Sequence, residues 1–252
     1  MNKALMLAAL LAGGALCASA SAQGPSPEMI AEIQRVQAVY ATMPDTPGTG
    51  PYPAVMEADP ALPGYVLYRP AQLEWLEQGE LGLFIWGNGG CADDGASARL
   101  HLAEIASHGY LVIAPGQWRS GPNAQAAPEA PRGPAADGRL PAPATTSAQL
   151  TAALDWALAE NLREGSAFRG LIDGGAVAVG GYSCGGMQAL QVAADPRWQT
   201  VVIQNSGLFN GGTSAITGMV ADKALLQTIH TPVLYLNGGE TDIAYANGMD
   251  DF

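Results

Sequence analysis

Apolar residues gather along this chain in two patterns. Five short runs are nearly continuous: LGLFIW (81–86), LVIAPG (111–116), AVAVGG (176–181), TVVIQNSG (200–207) and PVLYLNGG (232–239), each ending at or just before a glycine. Runs of this length, closed by a turn residue, predict buried strands. Between them, apolar residues recur at helical spacing. Residues 96–109 do so between a cap candidate, Ser97, and a stop at Gly109. SAQLTAALDWALAENL follows a cap at Thr146 or Ser147, CGGMQALQVAA follows AVAVGG directly, and a further helix is expected around 222–230. Continuous runs imply strands covered on both faces. Strands alternating with helices then predict an α/β fold, a mainly parallel doubly wound sheet flanked by helices.

Two stretches break the pattern. Residues 23–63 are rich in proline and polar residues, with one short helical stretch near 28–40. Residues 117–146 turn to Pro, Ala, Gly and Asn, which reads as a long surface loop. The α/β domain is expected over 64–252.

Composition narrows the function classes. The net charge is −12, and this acidic surplus argues against binding nucleic acid or anionic membranes by bulk electrostatics. Residues 1–22 carry Lys3, an apolar run over 4–16, and small-residue cleavage sites at Ala18-Ser19-Ala20 or Ala20-Ser21-Ala22. That is the pattern of a secretory signal peptide, too short to span a bilayer. Leu16 before Cys17 is bulkier than lipid-attachment sites usually accept, so simple cleavage is expected. No other segment is long and apolar enough to cross a membrane. The mature protein is expected to be periplasmic or extracellular, with two cysteines, Cys91 and Cys184, in a compartment that permits disulfides.

The chemistry concentrates in GGYSCGG, 180–186, which fits Gly-x-Ser-x-Gly at Gly181, Ser183 and Gly185. Chance placement gives about 0.2 such matches in a chain of this composition, so the pattern needs its structural context. That context is present: a strand run leads in and a helical pattern leads out. In a parallel sheet, Ser183 then falls at the C-terminal strand ends, where ligands gather. A helix N-terminus there offers unpaired backbone N–H groups beside the hydroxyl.

With that context the chain resembles the α/β-hydrolase superfamily, in particular secreted serine esterases of the dienelactone-hydrolase, cutinase and polyester-depolymerase type. The resemblance runs from about 81 to 242 and rests on three motifs in order: WGNGGC, GYSCG and NGGETD. It implies Ser183 as nucleophile and a small-molecule or polymeric ester as substrate. It places the triad acid at Asp242, with Glu240 as competitor. The oxyanion hole would use the backbone N–H of Cys184, the residue after the nucleophile, and that of Asn88, with Gly89 second. Since elbow and oxyanion loop face each other in this fold, it further implies a Cys91–Cys184 disulfide. No cofactor is implied: there is no Cys or His cluster at metal-ligand spacing, and no G-x-G-x-x-G opening a helix.

A serine hydroxyl needs a base, usually a histidine oriented by a carboxylate. The resemblance puts that histidine one strand beyond the acid, yet none follows Asp242. His108 and His230 are expected to close helices at the wrong end of the sheet, and His101, one turn into its helix, is the least unsuitable. The expectation is therefore a chain lacking its last strand, catalytic histidine and closing helix. A catalytically inactive, hydrolase-like binding protein is the alternative from another class. A peptidase or acyltransferase on the same scaffold is the third reading.

Overall fold

Every position of strand β3 (Leu81–Gly87) is buried, and a computed structural model of the protein shows why. Leu83 and Ile85 enter one apolar layer with helices α3 (Ser147–Leu162) and α4 (Cys184–Val192). Phe84 and Trp86 enter a second layer with α2 (Arg99–Ser107). Strand β4 (Tyr110–Pro115) divides in the same way, Leu111 and Ile113 to one side, Val112 and Ala114 to the other. Period-two alternation between two cores is what a continuous apolar run needs.

The structure describes residues 27–128, 142–210, 216, 218–219 and 222–252. The expected signal peptide over 1–22, with Cys17, and residues 129–141 of the long loop lie outside the described residues. The chain divides into two units, Met1–Tyr40 and Ala41–Phe252. In the first, the described part is most of helix α1 (Pro27–Thr42), with Arg35 and Glu32 paired one turn apart. None of the described helices is long and apolar enough to cross a membrane.

The second unit holds a seven-stranded sheet in the order β1-β2-β4-β3-β5-β6-β7. Strands β4, β3, β5 (Ile172–Tyr182), β6 (Thr200–Gln204) and β7 (Val233–Leu236) run parallel, as expected. β7 is not the buried strand its apolar run predicted: it is the sheet's edge, with Leu234 and Leu236 exposed. Strands β1 (Ala54–Glu57) and β2 (Tyr65–Pro70) add an antiparallel flank that the apolar pattern did not announce. β1 has four residues, mostly half-buried, and lies in the proline-rich stretch where no strand was expected.

Other boundaries differ for local reasons. Ser97 does not cap α2: Asp94 organises the entry, its side chain accepting the Ala96 N–H at 3.0 Å and its carbonyl the Ser97 N–H at 3.2 Å. Over 222–230 the chain forms a tighter 3-10 helix, Lys223–Thr228, capped by the Asp222 carboxylate. Thr146 does cap α3, in a reciprocal box with Gln149 that satisfies two backbone donors. A last helix, α5 (Tyr245–Asp251), is held by Asp251, whose buried carboxylate accepts the Leu208 N–H at 2.7 Å and pairs with Lys223.

Candidate active site

Ser183 stands between β5 and α4 with φ 53° and ψ −120°, outside the regions L-residues normally occupy. Strain of this kind persists only where the surroundings over-determine it. Here they do. The Ser183 N–H donates to the Gln204 carbonyl at 3.0 Å, and its own carbonyl accepts from the Gly186 N–H at 2.9 Å and the Ser206 hydroxyl at 2.6 Å. The flanking glycines follow from contact. A Cβ at Gly181 would strike the Gly185 carbonyl, and one at Gly185 would strike the Gly87 carbonyl and the Asn88 nitrogen. The backbones of β3's end and α4's start therefore cross with no side chain between them.

That crossing sets Asn88 beside the elbow. Its side chain is fully buried, donating from Nδ2 to the Pro115 carbonyl at 2.6 Å and the Ala92 carbonyl at 3.0 Å. Its carbonyl accepts the Cys91 N–H at 3.0 Å, closing the 3-10 turn Gly89–Cys91. Cys91 and Cys184 form a disulfide, with Cα atoms 5.3 Å apart. Both halves of the bridge are buried, beside Met187 and Ile216. The Cys91 carbonyl accepts the N–H groups of Ala144 and Thr145, each at 3.0 Å. Gln188 of α4 donates to the Thr145 carbonyl at 2.5 Å. The end of the long loop is thus built into the site's foundation, where a surface loop had been expected.

Asp242, six residues beyond the end of β7, is partly buried. One carboxylate oxygen accepts the Ala244 N–H at 2.7 Å, and the other accepts from the Asn205 side-chain amide. Glu240 is exposed and has no such partner. In the β5–β6–β7 register, Tyr182, Gln204 and Leu236 align, so Ser183, Asn205 and Asn237 begin the exits of three adjacent strands. Strands two apart are about 10 Å from one another, a gap that a group held between Ser183 and Asp242 would bridge.

The histidines do not fill that gap. Among the described residues, no histidine hydrogen-bonds Ser183 or Asp242. His108 closes α2 and meets Glu104 at 3.2 Å, and His230 is exposed ahead of β7. His101 faces a cavity of about 480 Å³ along the α2 side of the sheet, shared with Phe84, Val202 and Gln204. Its Nε2 lies 3.1 Å from Gln204 Nε2 and its ring meets Trp86 edge-on, centroids 5.3 Å apart. Although His101 is exposed, desolvation where its ring packs against Trp86 holds this imidazole below its ordinary pKa, favouring the neutral ring.

The chain superposes on the crystal structure of a Klebsiella pneumoniae subsp. pneumoniae protein designated "Putative Dienelactone Hydrolase", with a TM-score of 0.52 over 79% of this chain and 77% of the other, at 19% identity. The fold is that of the α/β-hydrolases. No family model matches the chain, and no curated protein matches it. Within the α/β-hydrolase fold, the structure brings Ser183, Asn88, Cys184 and the disulfide to one spot and Asp242 to the neighbouring strand ends. The sequence reading missed Asn205 and Ser206. One signal pointed to them: QNSG interrupts the apolar run of β6 with three consecutive polar side chains.

Proposed function

We propose that the protein is an exported serine hydrolase that cleaves carboxylic esters, with Ser183 as nucleophile and Asp242 as triad acid. The observation that carries this reading is the strained elbow: Ser183 is held at positive φ at a helix N-terminus, with glycines where backbones cross. An α4 packing role alone would not require a serine in that conformation. The Ser183 hydroxyl oxygen attacks the acyl carbon as its proton passes to a base, and the oxyanion that forms is stabilised by the N–H groups of Cys184 and Asn88. Each such donor is typically worth about 2.7–4 kcal/mol of barrier. Collapse of the oxyanion breaks the ester C–O bond, the proton leaves with the alcohol, and water then hydrolyses the acyl-enzyme to the acid. The base that takes the hydroxyl proton is an imidazole oriented by Asp242; among the described residues, none of the three histidines hydrogen-bonds that carboxylate. The disulfide fits export to an oxidising compartment.

The placement of the three histidines favours a second reading, a hydrolase-like binding protein without catalysis. One experiment separates the two. The chain is assayed on short p-nitrophenyl esters with and without free imidazole, beside Ser183→Ala. A slow turnover, stimulated by imidazole and abolished by Ser183→Ala, supports the hydrolase. A rate that Ser183→Ala leaves unchanged, at any imidazole concentration, refutes it.

A further inference from the structure

We propose that Asn205 is a positioning residue, fixing the Asp242 carboxylate at a set place relative to Ser183; this rests on the hydrolase reading above. Three observations support it. First, Asn205 donates its side-chain amide to one oxygen of Asp242, while the Ala244 N–H takes the other. A carboxylate has about four lone-pair sites, so these two bonds orient the group and leave room for a further donor.

Second, Asn205 sits in the left-handed region at φ 45°, which asparagine tolerates better than most side-chain-bearing residues. That turn ends β6 and sends the amide toward Asp242, while the Asn205 N–H still bonds the Leu236 carbonyl of β7 at 2.8 Å. Its neighbours hold the nucleophile: the Gln204 carbonyl accepts the Ser183 N–H at 3.0 Å, and the Ser206 hydroxyl bonds the Ser183 carbonyl at 2.6 Å. Three consecutive residues thus grip Ser183 on either side and Asp242 at the centre.

Third, the pair occupies the space above Gly238. A Cβ there would lie 2.6 Å from the Asp242 oxygen and 2.8 Å from the Asn205 amide nitrogen. A side chain at 238 would press on both partners of this bond.

The test separates positioning from simple loop closure. Asn205→Gly keeps the left-handed backbone and removes the amide. Ester turnover is measured in the presence of free imidazole for the wild type, Asn205→Gly, Asp242→Asn and the double variant, with thermal melting of each. Misplacing a catalytic group by about 1 Å can cost on the order of 100-fold. Asn205→Gly is expected to lower kcat about 10–100-fold with KM unchanged and melting nearly so. Because the amide acts through the carboxylate, the double variant should lose no more than the larger single loss. In 15N spectra the Asn205 side-chain amide resonances should shift between the wild type and Asp242→Asn, while those of other side-chain amides stay in place. Losses that multiply, or full activity in Asn205→Gly, would overturn the inference while leaving Ser183 in place. Turnover indifferent to Ser183→Ala would remove the hydrolase reading and the inference with it.

Discussion

Replacing both Cys91 and Cys184 by alanine removes the bridge between the oxyanion loop and the elbow without leaving a free thiol. The two residues are 93 positions apart. For a loop of that size the chain-entropy model gives about 4.6 kcal/mol at 25 °C, an upper figure because residual structure in the unfolded chain reduces it. One kcal/mol moves the melting temperature of a domain this size by about 2–4 °C. The double variant should therefore melt lower by several degrees and by no more than about 18 °C. Small cavities beside Met187 and Ile216 add a little to the loss. Differential scanning fluorimetry measures it, with Cys91→Ala and Cys184→Ala alone in reductant. If the covalent bond is the cause, the single variants and the double variant lose nearly the same amount. If packing alone is the cause, the single losses add. A double variant melting with the oxidised wild type, or two thiols titrating in protein unfolded without reductant, would refute the reasoning.

Gly185→Ala sets a Cβ against the Gly87 carbonyl and the Asn88 nitrogen, neither of which can swing away. Overpacking of this kind costs about 1–3 kcal/mol or more. Melting should fall accordingly, and esterase turnover should fall further as the oxyanion donors separate; Gly174→Ala, with open space around it, is the neutral control. For His101 the folded pKa is depressed by partial desolvation of its exposed side chain, so the folded state resists the proton that the unfolded state accepts. The stability this contributes is full above the unfolded value of 6.5 and is lost as pH falls below it. Melting curves from pH 7.5 to 5.5 should show a smaller decline for His101→Gln than for the wild type, and parallel declines would contradict the assignment.

The elements legible in the sequence are those whose chemistry is local. The central strands β3 and β4 are buried on both faces, so their apolar runs are unbroken, and the elbow glycines lie within two residues of Ser183. The cysteine pair was readable only through the resemblance, because nothing in the spacing of Cys91 and Cys184 sets them 5.3 Å apart. Where the information is not local, reading fails. β1 is short and half-exposed, so its pattern is too weak to see. Asn205 matters through its φ and through a residue 37 positions away. His101 is paired with Gln204 across 103 positions, which no helical pattern announces.

Covalent labelling shows directly whether Ser183 is the nucleophile. The chain is incubated with a fluorophosphonate probe, with and without imidazole, then digested and mapped by mass spectrometry. One modified peptide is expected, spanning the turn between β5 and α4, with the adduct on Ser183, formed faster with imidazole and absent from Ser183→Ala. An adduct on another serine, or none under either condition, contradicts it.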